Sequence, residues 1–259
     1  MKSNSFLLRF CRNAVFFSSI LILSNSCEKD KTDNDVTVIT AAGDITSKVN
    51  EFRAILGSQL NTTPGAVGGR REVNWDGVPA ELLNKPLPND FFNTSGANVP
   101  ASRQRGLVYS AGVNNFQVSN DGFVELNSST AAAFTAFSGD KIFANVGSNL
   151  WDIGFQVPGE PVPATVNGFG LVFSDVDVPN STFIEFFDGT RSLGKFFAPA
   201  HDATSNLSFL GVHFANEKVT GIKVGHEGSL IEGGTDISEG GQKDFVVFDD
   251  FLFNEPIKQ

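Results

Sequence analysis

Two hydrophobic periodicities divide this chain. Between Asp44 and Gly57, the residues Ile45, Val49, Phe52, Ile55 and Leu56 recur at helical steps. Asp44 or Thr46 stands where a cap belongs, and Gly57 closes the run. That spacing predicts one amphipathic helix with a single apolar face to bury. Ser58 to Gly69 reads as a loop from its Gly, Thr and Asn content.

From Arg71 to Phe253 the pattern changes to short runs that alternate or are wholly apolar, each bounded by Gly, Pro, Asn, Asp or Ser. The clearest are Gly106–Ser110, Phe116–Val118, Lys141–Asn145, Trp151–Val157, Gly168–Phe173, Thr182–Asp188, Phe209–Phe214, Val219–Val224 and Phe245–Phe253. No helical pattern long enough for a crossover separates them, so a parallel α/β sheet is excluded. The expected fold is all-β: a two-layer antiparallel β-sandwich, jelly-roll-like, with one N-terminal amphipathic helix. A single domain over 44–259 is the simplest count, preceded by a flexible tether over 28–43.

The first 27 residues follow neither pattern. Lys2, Arg9 and Arg12 form a positive end, an apolar stretch runs through Ala14–Phe17 and Ile20–Leu23, and small polar residues lead to Cys27. These are the three parts of a secretory signal, and the apolar stretch is short of the ~20 residues that span a bilayer. Cys11 and Cys27 are the only cysteines. A chain cut before Cys27 therefore keeps one thiol, and disulfides, thiol catalysis and cysteine-ligated zinc are excluded from the folded part.

Leu23-Ser24-Asn25-Ser26-Cys27 resembles a bacterial lipobox, and the Glu28-Lys29-Asp30-Lys31 that follows resembles the charged tether of Bacteroidetes-type lipoproteins. The resemblance implies export, lipidation of Cys27 and anchoring to a bacterial outer membrane or cell surface.

Charge narrows the partners. Removing the three basic residues of the signal leaves 16 Lys and Arg against 29 Asp and Glu, a net of −13. No basic stripe remains for a phosphate backbone, so nucleic acid is excluded as a partner. The 26 Phe and 26 Gly, against one Tyr and two Trp, fit many short aromatic-filled strands joined by tight turns.

The stretch Gly168–Pro256 resembles a recurrent kind of uncharacterised exported bacterial β-sandwich protein. The shared pieces are Phe169-Gly170-Leu171-Val172-Phe173-Ser174-Asp175-Val176-Asp177, Ile184–Asp188, Leu193-Gly194-Lys195-Phe196, Leu207–Phe214 and Val246–Phe251. Arg70–Pro79 is similar to the N-terminal signature of the same proteins. Many of them bear a C-terminal sorting segment, which the lipid on Cys27 is expected to replace here. The Asp-Asp of the last strand also resembles the closing strand of jelly-roll carbohydrate-binding modules. That similarity implies a structural Ca²⁺ held by Asp249 and Asp250 with Asp76 or Glu72 as an early partner.

Physical chemistry supports part of this. Adjacent strand residues face opposite ways, so one of Asp249 and Asp250 is expected to point inward, where a carboxylate needs a cation, a basic side chain or backbone donors. Calcium would meet that need with hard oxygen ligands. Asp175 and Asp177, two apart, are expected on one strand face, as a second ion site or a solvated rim. Trp75 and Tyr109 are the candidate ligand-binding rings, because an aromatic with a polar edge stacks on a sugar. His201, His213 and His226 lack zinc-type spacing, and there is no G-x-S-x-G elbow. The expectation is a surface-anchored binding or adhesion module, with glycan the favoured ligand and a cell-surface protein the other. A polysaccharide hydrolase on the same scaffold and a structural or assembly lipoprotein stay open as alternatives.

Overall fold

The computed structural model describes residues 35–110, 115–129 and 132–259. The signal, Cys27 and the first part of the tether lie outside the described residues.

Among the described residues, fourteen strands and one α-helix follow in order. Strand β1 (Val36–Ala42) precedes helix α1 (Thr46–Leu56), and β2 (Arg70–Val73), β3 (Leu107–Ser110), β4 (Phe116–Ser119) and β5 (Ile142–Asn145) come next. The chain continues through β6 (Leu150–Phe155), β7 (Ala164–Thr165), β8 (Gly168–Ser174), β9 (Phe183–Asp188) and β10 (Arg191–Phe197). It closes with β11 (Leu207–Phe214), β12 (Gly221–Gly225), β13 (Val247–Asn254) and β14 (Ile257–Lys258).

Two antiparallel sheets face each other. One has the order β1-β11-β8-β13-β5-β4, with β2 sharing the far half of β13; the other runs β10-β9-β12-β6-β3. The architecture is the expected all-β sandwich. Residues 36–42 correct the expected tether. Their alternation is weak by sequence, but seven backbone pairings to β11 make them the edge strand of the larger sheet.

The core between the sheets is aromatic. Phe169, Leu171, Phe173, Phe248, Phe251 and Phe253 from the larger sheet meet Trp151, Ile153, Phe155, Ile184, Phe186 and Ile222 from the smaller. Val172, Phe209 and Leu252 alternate with these and point to the opposite face, where Val49, Phe52 and Leu56 of α1 cover them. Phe52 comes that close because Gly170 and Gly211, paired across β8 and β11, carry no side chain there. A Cβ on either glycine would stand 2.7 Å from the Phe52 ring.

A third cluster, with Phe123, Ile142, Leu230 and Phe245, covers the rest of that outer face with loops. Strands β8, β13 and β5 are thus covered on both sides, which is why they read as continuous apolar runs. Strands β6 and β9 alternate between buried and partly exposed positions, because their sheet is covered on one side only.

Candidate functional site

That asymmetry leaves an open face on the five-stranded sheet. One row across it reads Asp152, Lys223, Glu185, Lys195 in register, with opposite charges next to each other on four strands. Lys223 Nζ lies 2.7 Å from Asp152 Oδ1, and Lys195 Nζ lies 3.7 Å from Glu185 Oε2. Ser192 donates to the other oxygen of Glu185 at 2.8 Å. The next row is Gly154, Gly221, Phe187. Two paired glycines without side chains leave a trough in the sheet, walled by Phe187 and floored by the backbone of Ile153 and Ile222. The trough measures about 340 Å³, and Asp152, Thr190, Thr220 and Lys223 supply its polar edge. A third row carries Leu150, Gly225, Phe183 and Phe197. Phe183 lies across Gly225, with Lys195 Nζ 4.0 Å above its ring.

The rings expected to bind ligand are elsewhere. Trp75 and Tyr109 are 1% and 2% exposed. Trp75 adopts a left-handed φ of 65°. Its indole stacks on Phe143 at 4.2 Å and donates to the carbonyl of Asp249 at 3.0 Å. Tyr109 stacks on Phe116 at 4.3 Å. Both are core residues, a correction to the sequence expectation. The large rings went inside with the other inter-sheet aromatics, and the open face carries the partly exposed Phe183 and Phe187 and the exposed Phe197 instead.

Asp249 and Asp250 depart from the alternation rule. Strand β13 bulges against β8, where Phe248 pairs with Phe173 and Phe251 with Leu171, so two residues oppose one. Both acids are at most 1% exposed, and both reach Ser138. Asp249 Oδ2 accepts from the amides of Phe137 and Ser138 at 2.5 and 2.9 Å. Asp250 accepts from the Ser138 hydroxyl at 2.6 Å and from Arg53 at 3.3 Å. Asp76 accepts from the amide of Asp140 at 3.2 Å instead of joining them. Peptide N–H groups serve Asp249 Oδ2, a hydroxyl and a guanidinium serve Asp250, and the buried Oδ1 of Asp249 has no hydrogen-bond partner. Burial, then the Asp250 charge, pushes the Asp249 carboxyl up to about 8.

Asp175 and Asp177 were expected on a strand face, but β8 ends at Ser174 and Asp175 takes a left-handed φ of 71°. The two acids therefore sit on a turn, and that turn meets His201 from the β10–β11 connection. His201 Nε2 is 2.9 Å from Asp177 Oδ1 and 3.8 Å from Asp175 Oδ1. Asp244 secures the turn by accepting from the amides of Asp177 and Val178 and from the Ser181 hydroxyl. Asp175 is fully buried, and neither of its carboxylate oxygens has a hydrogen-bond partner. Burial and the charges of Asp177 and Asp236 push its carboxyl up to about 8. Sequence reasoning missed His201 because only spacing within the sequence was available to link it to the acids.

Searches find no family model and no curated protein that matches this chain.

Proposed function

We propose that this protein is a carbohydrate-binding module displayed at a bacterial membrane surface through lipid on Cys27. The observation that carries this reading is the trough at Gly154 and Gly221, walled by Phe187. A sugar ring offers an apolar face and a rim of hydroxyls. Phe187 supplies the stacking surface, and the Asp152–Lys223 pair with Thr190 and Thr220 supplies donors and acceptors at the edge. A volume of about 340 Å³ suits a small ligand or one unit of a polymer. The trough is open along the sheet, as the binding of a chain requires, and a charged row lies beside it.

The carboxylates that a hydrolase would need do not face each other in this trough. Glu185 is engaged by Ser192 and Lys195, and Asp188 by Arg191. Binding without cleavage is therefore the favoured reading.

A glycan array probed with the purified protein tests it. At least one glycan should be retained, and Phe187→Ala should weaken that binding by about tenfold or more. Gly221→Val fills the trough in a strand position where an added Cβ meets nothing closer than 3.4 Å. It should abolish binding while leaving the thermal midpoint nearly unchanged. An array on which nothing is retained, or binding indifferent to both substitutions, would sink the proposal.

A further inference from the structure

We infer that Asp175, Asp177 and His201 form a binding site for one divalent transition-metal ion, with Zn²⁺ the ion their donors suit best. The inference is independent of the glycan reading, since this cluster lies at the turn after β8 and not in the trough.

The first argument concerns protons. His201 Nδ1 is 3.0 Å from the carbonyl of Asp202, and Nε2 is 2.9 Å from a carboxylate oxygen of Asp177. Both partners are acceptors only, so each ring nitrogen must present a positive centre. Nδ1 does so as an N–H. At Nε2 either a second proton or a metal ion fills the role. A ring that donates one N–H to a backbone carbonyl has its tautomer set, with the other nitrogen's lone pair ready for a metal.

The second argument concerns Asp175. An imidazolium would pair with Oδ1 of Asp177, but it leaves Asp177 Oδ2 and both oxygens of buried Asp175 without a hydrogen bond, since 3.8 Å is beyond hydrogen-bond reach. Charged, Asp175 is expensive unless a cation shares its site, and protonated, its buried O–H finds no acceptor within reach. An ion among the three groups serves all of them at once.

Geometry agrees. Oxygen and nitrogen ligands about 2.0–2.1 Å from a tetrahedral zinc ion stand ~3.3 Å apart. The observed separations of 2.9 and 3.8 Å lie on either side of that value, and one donor atom from each residue falls within 4.8 Å of the others. Among the described residues, this is the group of three or more acidic, His or Cys side chains whose donor atoms converge in this way.

Donor chemistry selects the metal. Imidazole nitrogen suits zinc and its neighbours in the transition series, whereas Ca²⁺ and Mg²⁺ prefer oxygen throughout. Asp236 and Asp244 stand behind the site and add negative potential. Their own oxygens are occupied by backbone amides and by Ser238 and Ser181. The Asp177 and His201 side chains keep 9% and 21% exposure, so the ion would have an entry path and a fourth position toward solvent. It would also tie together two connections, those after β8 and β10.

The test uses the purified full chain, stripped with EDTA and titrated with Zn²⁺. One equivalent should bind with a dissociation constant in the micromolar range or tighter, and the thermal midpoint should rise by several degrees. Co²⁺ in its place should give the visible absorption of a tetrahedral site. His201→Ala and Asp175→Asn should each weaken Zn²⁺ binding by about 100-fold or more. Asp175→Asn keeps the shape of the side chain and removes the anionic ligand together with its repulsion from Asp177 and Asp236. Its metal-free form should melt at or above the wild-type temperature, which separates lost binding from lost folding. Failure of the stripped protein to take up Zn²⁺, Mn²⁺ or Co²⁺ stoichiometrically would overturn the inference. So would Asp175→Asn binding Zn²⁺ as the wild type does.

Discussion

Arg71 and Glu255 form a two-point ion pair inside the protein. Arg71 Nε and Nη2 donate to the two carboxylate oxygens of Glu255 at 2.7 and 2.8 Å, and Arg71 is 0% exposed. Asn61 donates to the same carboxylate, and the carbonyl of Thr63 accepts from Arg71. The loop before β2 is thus tied to the end of β13. Removing one partner leaves the other charge buried and alone, so Glu255→Ala should cost about 3–5 kcal/mol. Urea denaturation of the variant measures this, and a loss under about 1 kcal/mol would contradict it. Replacing both residues by apolar ones of similar volume should recover most of the loss.

Phe52 and the Gly170–Gly211 pair seat the helix on the sheet. Gly211→Ala would place a methyl group 2.7 Å from the Phe52 ring, and that overpacking should cost about 1–3 kcal/mol. The same substitution in a Phe52→Ala background should cost much less, because the ring it meets is gone. Equal costs in both backgrounds, measured by chemical denaturation, would show that the glycine has another role.

The Asp249–Asp250 pair makes stability depend on pH. Asp249 has its folded-state carboxyl raised to about 8, by burial and then by the Asp250 charge. The folded protein therefore holds a proton there that the unfolded chain releases near its ordinary value of 3.8. Between those limits the native state binds more protons, so stability falls as pH rises. Across pH 4–8 this should remove at least about 1 kcal/mol. Asp249→Asn retains an oxygen for the amides of Phe137 and Ser138 and carries no charge, so its thermal midpoint should decline less over the same window. A slope identical to the wild type would refute the assignment.

Much of the sandwich was legible along the chain. The helix was marked by its apolar spacing and by Gly57, but the cap position is held by Ile45 without a side-chain cap bond, and Asp44 before it accepts from the amide of Thr46 at 3.1 Å. Runs such as Gly168–Phe173 and Phe209–Phe214 match β8 and β11 because apolar continuity follows from being covered on both faces. Strand β1 was harder to find. At an edge its side chains are mostly exposed, so pairing with β11 rather than burial makes it a strand.

The sequence by itself determined that this protein is a β-sandwich with one helix near its start, because strand and helix periodicities are local properties. It also determined that the folded part relies on an aromatic core without disulfides. Only the tertiary structure decided which aromatics are buried, that a bulge turns Asp249 and Asp250 to one side, and which sheet face stays open. It alone brought His201 to Asp175 and Asp177, 24 residues beyond the latter. Each of these depends on register and on contacts between distant segments, and a one-residue shift in pairing would change the outcome without altering the pattern along the chain.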